Sequence, residues 1–89
     1  MANDGYWGSA EMLKTFRQLL IYQQLPEDAT ETDIITMAHM IYNGQRNAYW
    51  MPTSAIFVGP GEYAGPYQNT HRIKIFYDSS RKITDVGIG

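Results

Sequence analysis

The C-terminal stretch HRIKIFYDSSRKITDVGIG, His71 to Gly89, reads as a β-hairpin that something apolar must cover. Ile73, Ile75 and Tyr77 alternate with Arg72, Lys74 and Phe76, and a period of two marks a strand with one buried side. Asp78, Ser79, Ser80 and Arg81 supply turn chemistry, because short polar side chains satisfy the backbone locally. Ile83 to Ile88 then resumes a β-branched run suited to the second strand.

The cover for that hairpin lies upstream. Met12, Leu13, Phe16, Leu19 and Leu20 fall on one helical stripe, Ser9 stands as its N-cap and Glu11 favours the positive end of the helix dipole. The spacing predicts a helix from Ala10 to Gln24, ended by Pro26, which pushes the residue before it out of the α region. Thr30 and Asp33 form a capping-box pattern ahead of Ile34, Ile35, Met37, Ala38, Ile41 and Tyr42, the spacing of a second buried face. Asn43 and Gly44 offer its C-terminal stop.

Between helices and hairpin, Ala48 to Met51 is a short aromatic stretch, Pro52 breaks it, and Ser54 to Val58 reads as a strand. A proline there calls for an edge position or two separate segments. Gly59 to Asn69 is the longest irregular stretch, with Glu62, Tyr63 and Tyr67 among its glycines and prolines, and long loops of this kind often carry function. The order is therefore α-α-β-β-β. The expected fold is a two-layer α+β domain, two N-terminal helices packed on a three-stranded antiparallel meander sheet, spanning residues 1–89 with 1–8 as a flexible lead-in.

Composition bounds the function classes. The 89 residues make one small domain, and 44% apolar with 18% charged residues suits a folded chain with relatively sticky surface. A net charge of -2 gives no general attraction to phosphate, and the absence of cysteine removes disulfides and thiolate metal sites. The N-terminus has neither basic n-region nor apolar h-region, and no run of eighteen apolar residues occurs, so the expectation is a cytoplasmic protein, phage-encoded or bacterial, without membrane contact.

Specific chemistry is weakly signalled. Gly59, Gly61 and Gly65 stand in G-x-G-x-x-x-G after a strand, but the spacing is not that of a phosphate loop, and Pro60 and Pro66 remove donors. Glu27, Asp28, Glu31 and Asp33 crowd a helix N-terminus, where the dipole already accounts for them, so no metal is expected. His39 and His71 could form triads on paper with Ser54, Ser79 or Ser80 and Asp78 or Asp85, yet no nucleophile elbow surrounds those serines. The expectation is no enzyme, no catalytic residue and no cofactor.

Two helices before a hairpin are similar to winged-helix DNA readers, with Arg81 and Lys82 at the wing tip. The second helix carries no Lys or Arg to place on phosphates or guanine edges, so no nucleic-acid partner is expected. The segment Arg72 to Asp78 with Lys82 to Val86 also resembles the final hairpin of small bacterial outer-membrane assembly lipoproteins, whose domain packs two helices on a three-stranded sheet. That resemblance covers under a quarter of the chain, and the lipid-bearing cysteine of those proteins has no counterpart in it.

Aromatic and methionine residues remain beyond what a small core needs: Tyr6, Trp7, Met40, Tyr49, Trp50, Met51, Tyr63 and Tyr67. Such side chains bury large area at modest loss of rotamer freedom, which is the composition of a protein-binding patch. The reading is a non-enzymatic inhibitor or adaptor that masks a site on a larger protein, through Trp50, Glu62, Tyr63, Tyr67 and Met40. The alternative is a self-associating homo-oligomer whose 59–69 loop closes over a small ligand.

Overall fold

The structure is a computed structural model, and it describes residues 8–43, 50–65 and 69–89. Helix α1 (Ser9–Leu20) and helix α2 (Glu31–Asn43) precede strands β1 (Ser54–Val58), β2 (Arg72–Tyr77) and β3 (Ile83–Ile88). Gly8 rather than Ser9 is the N-cap of α1, and its N–H donates to Glu11 Oε1 at 3.3 Å. Residues 1–7, with Tyr6 and Trp7, lie outside the described residues.

Helix α1 ends four residues before the expected boundary at Gln24, and Pro26 is not the cause. Ile21 is extended and Tyr22 left-handed (φ 72°), after which the chain pairs with the start of β3. Tyr22 N–H donates to Ile83 O (2.8 Å), Ile83 N–H to Gln23 O (2.9 Å) and Leu25 N–H to Arg81 O (2.7 Å). Unpaired sheet-edge groups compete for this segment and win over one more turn of helix, whose bonds would be purely local. The start of α2 follows the sequence, with Thr30 N–H donating to Asp33 Oδ2 at 2.9 Å and Asp33 N–H to Thr30 Oγ1 at 3.3 Å. Gly44 lies outside the described residues.

The sheet has β2 at its centre, and it is mixed rather than an antiparallel meander. β2 and β3 form the expected antiparallel hairpin, with Ile73 opposite Ile88, Ile75 opposite Val86 and an irregularity at Phe76 and Tyr77. β1 runs parallel to β2, from Ser54 opposite Arg72 to Val58 opposite Phe76. The reason is the connection. Residues 59–71 provide the dozen or so residues a parallel return requires, whereas an antiparallel partner needs only a tight turn. β1 is an edge strand, in keeping with Pro52 just ahead of it.

Both helices cover one face of the sheet, α1 over β3 and α2 over β1. The core joins Met12, Phe16 and Leu20 of α1, Leu25 of the segment between the helices, Ile34 and Ala38 of α2, and Ala55, Ile73, Ile75, Ile83 and Val86 below them. Of the anticipated stripes, Leu13, Ile35, Met37, Ile41 and Tyr42 are half-buried and Leu19 is 50% exposed. Neighbouring helix positions point about 100° apart, so Leu20 can turn into the sheet only if Leu19 turns away.

The hairpin turn is organised by Asp78. Its Oδ1 accepts the N–H of Ser80 (2.9 Å), the Ser80 hydroxyl (3.0 Å) and the N–H of Lys82 (3.0 Å), while Arg81 takes the left-handed conformation at φ 64°. The Lys82 N–H above all, then the Ser80 hydroxyl, hold the Asp78 carboxyl below the usual carboxylate range. A carboxyl depressed in the folded state contributes stability that is complete above its unfolded value, about 3.9, and is lost as pH falls through the folded value. Asp78→Asn is therefore expected to flatten the acid limb of stability between pH 5 and 2, measured by urea unfolding of both proteins at each pH. Equal acid slopes would assign the acid sensitivity to other groups.

Candidate functional site

Two surface regions gather side chains that the core does not use. The first lies where the last turn of α1 meets α2. Met37, Met40 and Ile41 follow helical i, i+3, i+4 spacing and so share one face, beside the buried Ile34 and Ala38. With Leu19 they line an open depression of about 400 Å³ whose polar margin is Asp33 and Thr36. Met40 is 71% exposed. A second depression of about 220 Å³, floored by Leu20, Leu25, Ile34 and Ile83, adjoins it through Asp33 and Met37.

The second region borders β1. Gly59, Pro60, Gly61 and Glu62 form a turn closed by Glu62 N–H donating to Gly59 O at 3.0 Å. Pro60 at its second position and Gly61 at φ 75° in its third are the residues a type II turn requires. Glu62 closes it a second time, because its Oε1 accepts the Gly59 N–H at 2.5 Å. Tyr63 follows, 80% exposed, and with Ala64, Ile56, Phe57 and Val58 it borders an open depression of about 360 Å³.

The residues singled out from the sequence are thus separated. Glu62 and Tyr63 stand together at the C-terminal end of β1. Trp50 stands at the other end, where its Nε1–H donates to Thr70 O (2.9 Å) and its ring stacks on His71 at 5.8 Å between centroids. Half-buried against the core, it ties the approach to β1 to the approach to β2. Met40 belongs to the helix groove, and Tyr67, like Tyr49, lies outside the described residues. Leu19, on the predicted core stripe of α1, faces this groove instead; the signal that separates it is stripe width, since five apolar positions on one short helix exceed what a narrow sheet can cover.

The ionisable residues are mostly tied to backbone. Asp33 caps α2, Glu31 Oε2 accepts the Ala55 N–H at 2.9 Å, and Arg17 donates to Val86 O at 3.0 Å beside Asp85. Arg81, read as a wing-tip cation, instead donates to Leu25 O and Pro26 O and lies over the Tyr77 ring. His39 is exposed on α2, and His71 contacts Thr70 Oγ1 through Nδ1 at 3.2 Å. Among the described residues no group of three or more His, Cys, Asp or Glu side chains could hold a metal ion, and no helix is long and apolar enough to cross a membrane.

These features define a small α+β domain with an apolar helix groove and a separate strand edge. No family model, curated protein or solved structure matches this chain.

Proposed function

We propose that this chain is a non-enzymatic protein-binding domain, an inhibitor or adaptor that masks a site on a larger protein, and that the helix groove is its contact surface. The observation that supports this reading is the pairing of Met40 with Leu19, two of the four exposed large apolar side chains among the described residues, on one continuous depression that runs into the Leu20, Leu25 and Ile34 pocket. Methionine side chains adapt to a partner's shape, and a groove between two helix ends suits an apolar anchor flanked by polar contacts. Asp33 and Thr36 supply that polar margin.

The test uses the partner captured from the cell of origin by the tagged chain. Met40→Glu places a charge in the groove at a position already open to water, so the melting temperature should stay within a few degrees while affinity falls by about 2 kcal/mol or more. Unchanged affinity in Met40→Glu and in Leu19→Glu would remove the groove from the interface. A thermal shift with nucleotides or metabolites, in place of a protein partner, would favour the small-ligand alternative.

A further inference from the structure

The two edges of the sheet are finished differently. On β3 the outward groups of Ile83 and Val86 are taken: Ile83 is paired by Tyr22 and Gln23, the Val86 N–H donates to Asp85 Oδ1 and the Val86 carbonyl accepts from Arg17. On β1, Ser54 N–H bonds inward to His71 O, so the alternation of a strand turns the N–H and C=O of Ala55 and Phe57 outward. Glu31 takes the Ala55 N–H and, one strand repeat beyond Phe57, Glu62 takes the Gly59 N–H. Between them the Ala55 carbonyl and both polar groups of Phe57 have no partner among the described residues. Two carboxylates therefore bracket a short open window of sheet edge.

We propose that this window is a docking site for an extended basic peptide, which adds to β1 as a fourth strand. An edge with one donor and two acceptors in line demands an extended backbone, and a peptide in either direction can make three hydrogen bonds to it. The charge selects the occupant. Glu31 and Glu62 each spend one oxygen on a backbone N–H and keep the other, and neither has a Lys or Arg partner among the described residues. They act on points four residues apart, Ala55 in β1 and Gly59 just beyond its end, about 13 Å at strand spacing, which matches basic side chains at positions i and i+4 of an extended segment. A second copy of this chain is disfavoured on the same ground, since antiparallel pairing of two β1 edges sets Glu31 of one against Glu62 of the other. Tyr63, exposed beside Phe57 and Val58, offers a flat face for the stem of one lysine or arginine. This site is distinct from the helix groove and stands or falls separately from it.

The probe is the capped peptide acetyl-Lys-Val-Thr-Val-Lys-amide, titrated into the ¹⁵N-labelled chain at low salt. The Phe57 amide should shift and become protected from hydrogen exchange. Replacing both lysines with glutamate should weaken binding at least about tenfold, and Glu62→Gln, which keeps an acceptor for Gly59, should weaken it about threefold. N-methylating one alternate set of peptide amides should abolish binding, while methylating the other set is tolerated, because only one edge of the peptide faces β1. The proposal is overturned if the peptide binds without moving Phe57, if the glutamate peptide binds equally well, or if both methylated forms behave alike. Concentration-dependent protection of Phe57 without peptide would make a second copy the occupant and also overturn it.

Discussion

Phe16→Ala is expected to cost about 3–5 kcal/mol, against a total stability of about 5–15 kcal/mol for a natural domain. Phe16 is fully buried, and it sits where α1 presses on the sheet with Met12, Ile73, Ile75 and Val86, the other largest buried side chains. Removing the ring leaves a cavity that both layers would have to close, and the cost of such a cavity depends on how far they can collapse. Helix α1 has only three buried positions, Met12, Phe16 and Leu20, with which to hold β3. Urea and thermal unfolding of the variant check the figure. Phe16→Leu, which keeps most of the volume, should cost roughly 1 kcal/mol, and a melting temperature for Phe16→Ala close to that of the parent would show that α1 is dispensable to the core.

The second large effect is expected at a charged residue. Arg81→Ala should destabilise the domain by about 2 kcal/mol, although the side chain is only partly buried. Its Nε donates to Leu25 O at 3.1 Å, a terminal nitrogen donates to Pro26 O at 2.8 Å, and the guanidinium lies 4.9 Å from the Tyr77 ring centroid. These contacts fasten the hairpin turn to the segment that leaves α1, and the Arg81 carbonyl receives the Leu25 N–H in return. Arg81→Lys should recover little, because one ammonium cannot fork to two carbonyls in the plane of the guanidinium. Arg81→Gly should lose less than alanine does, since glycine accepts φ 64° without a Cβ penalty. Faster hydrogen exchange at Leu25 in Arg81→Ala would locate the loss, and an unaltered exchange rate with an unaltered melting temperature would refute the clamp. An arginine committed in this way is a poor wing-tip contact for DNA.

Much of the fold was legible because it rests on local chemistry. The period of two over Ile73, Ile75 and Tyr77, the Asp78 turn, the Thr30 and Asp33 box and the stripe through Met12, Phe16 and Leu20 need no distant partner to be recognised, and each has its counterpart in the structure. The candidate site was less legible. Met40 and Tyr63 are exposed as the surplus of apolar side chains suggested, but Trp50 turned inward onto Thr70 and His71, and one oxygen of Glu62 is taken by its own turn. No local pattern reports that a tryptophan will find a carbonyl twenty residues away.

The chain's own order of residue types was enough for the elements, their succession and the faces they bury, because helix and strand periodicities and caps are properties of neighbouring residues. The direction of β1, the early end of α1 and the finish of the two sheet edges came from contacts between distant segments. A strand carries the same side-chain alternation whether its neighbour runs parallel or antiparallel, so Ser54 to Val58 is silent on the choice until residues 59–71 return β2 to the same end of the sheet. Likewise Tyr22 to Leu25 leaves the helix only because β3 lies beside it with unmet hydrogen-bonding groups, a demand that exists once the layers have met and not before.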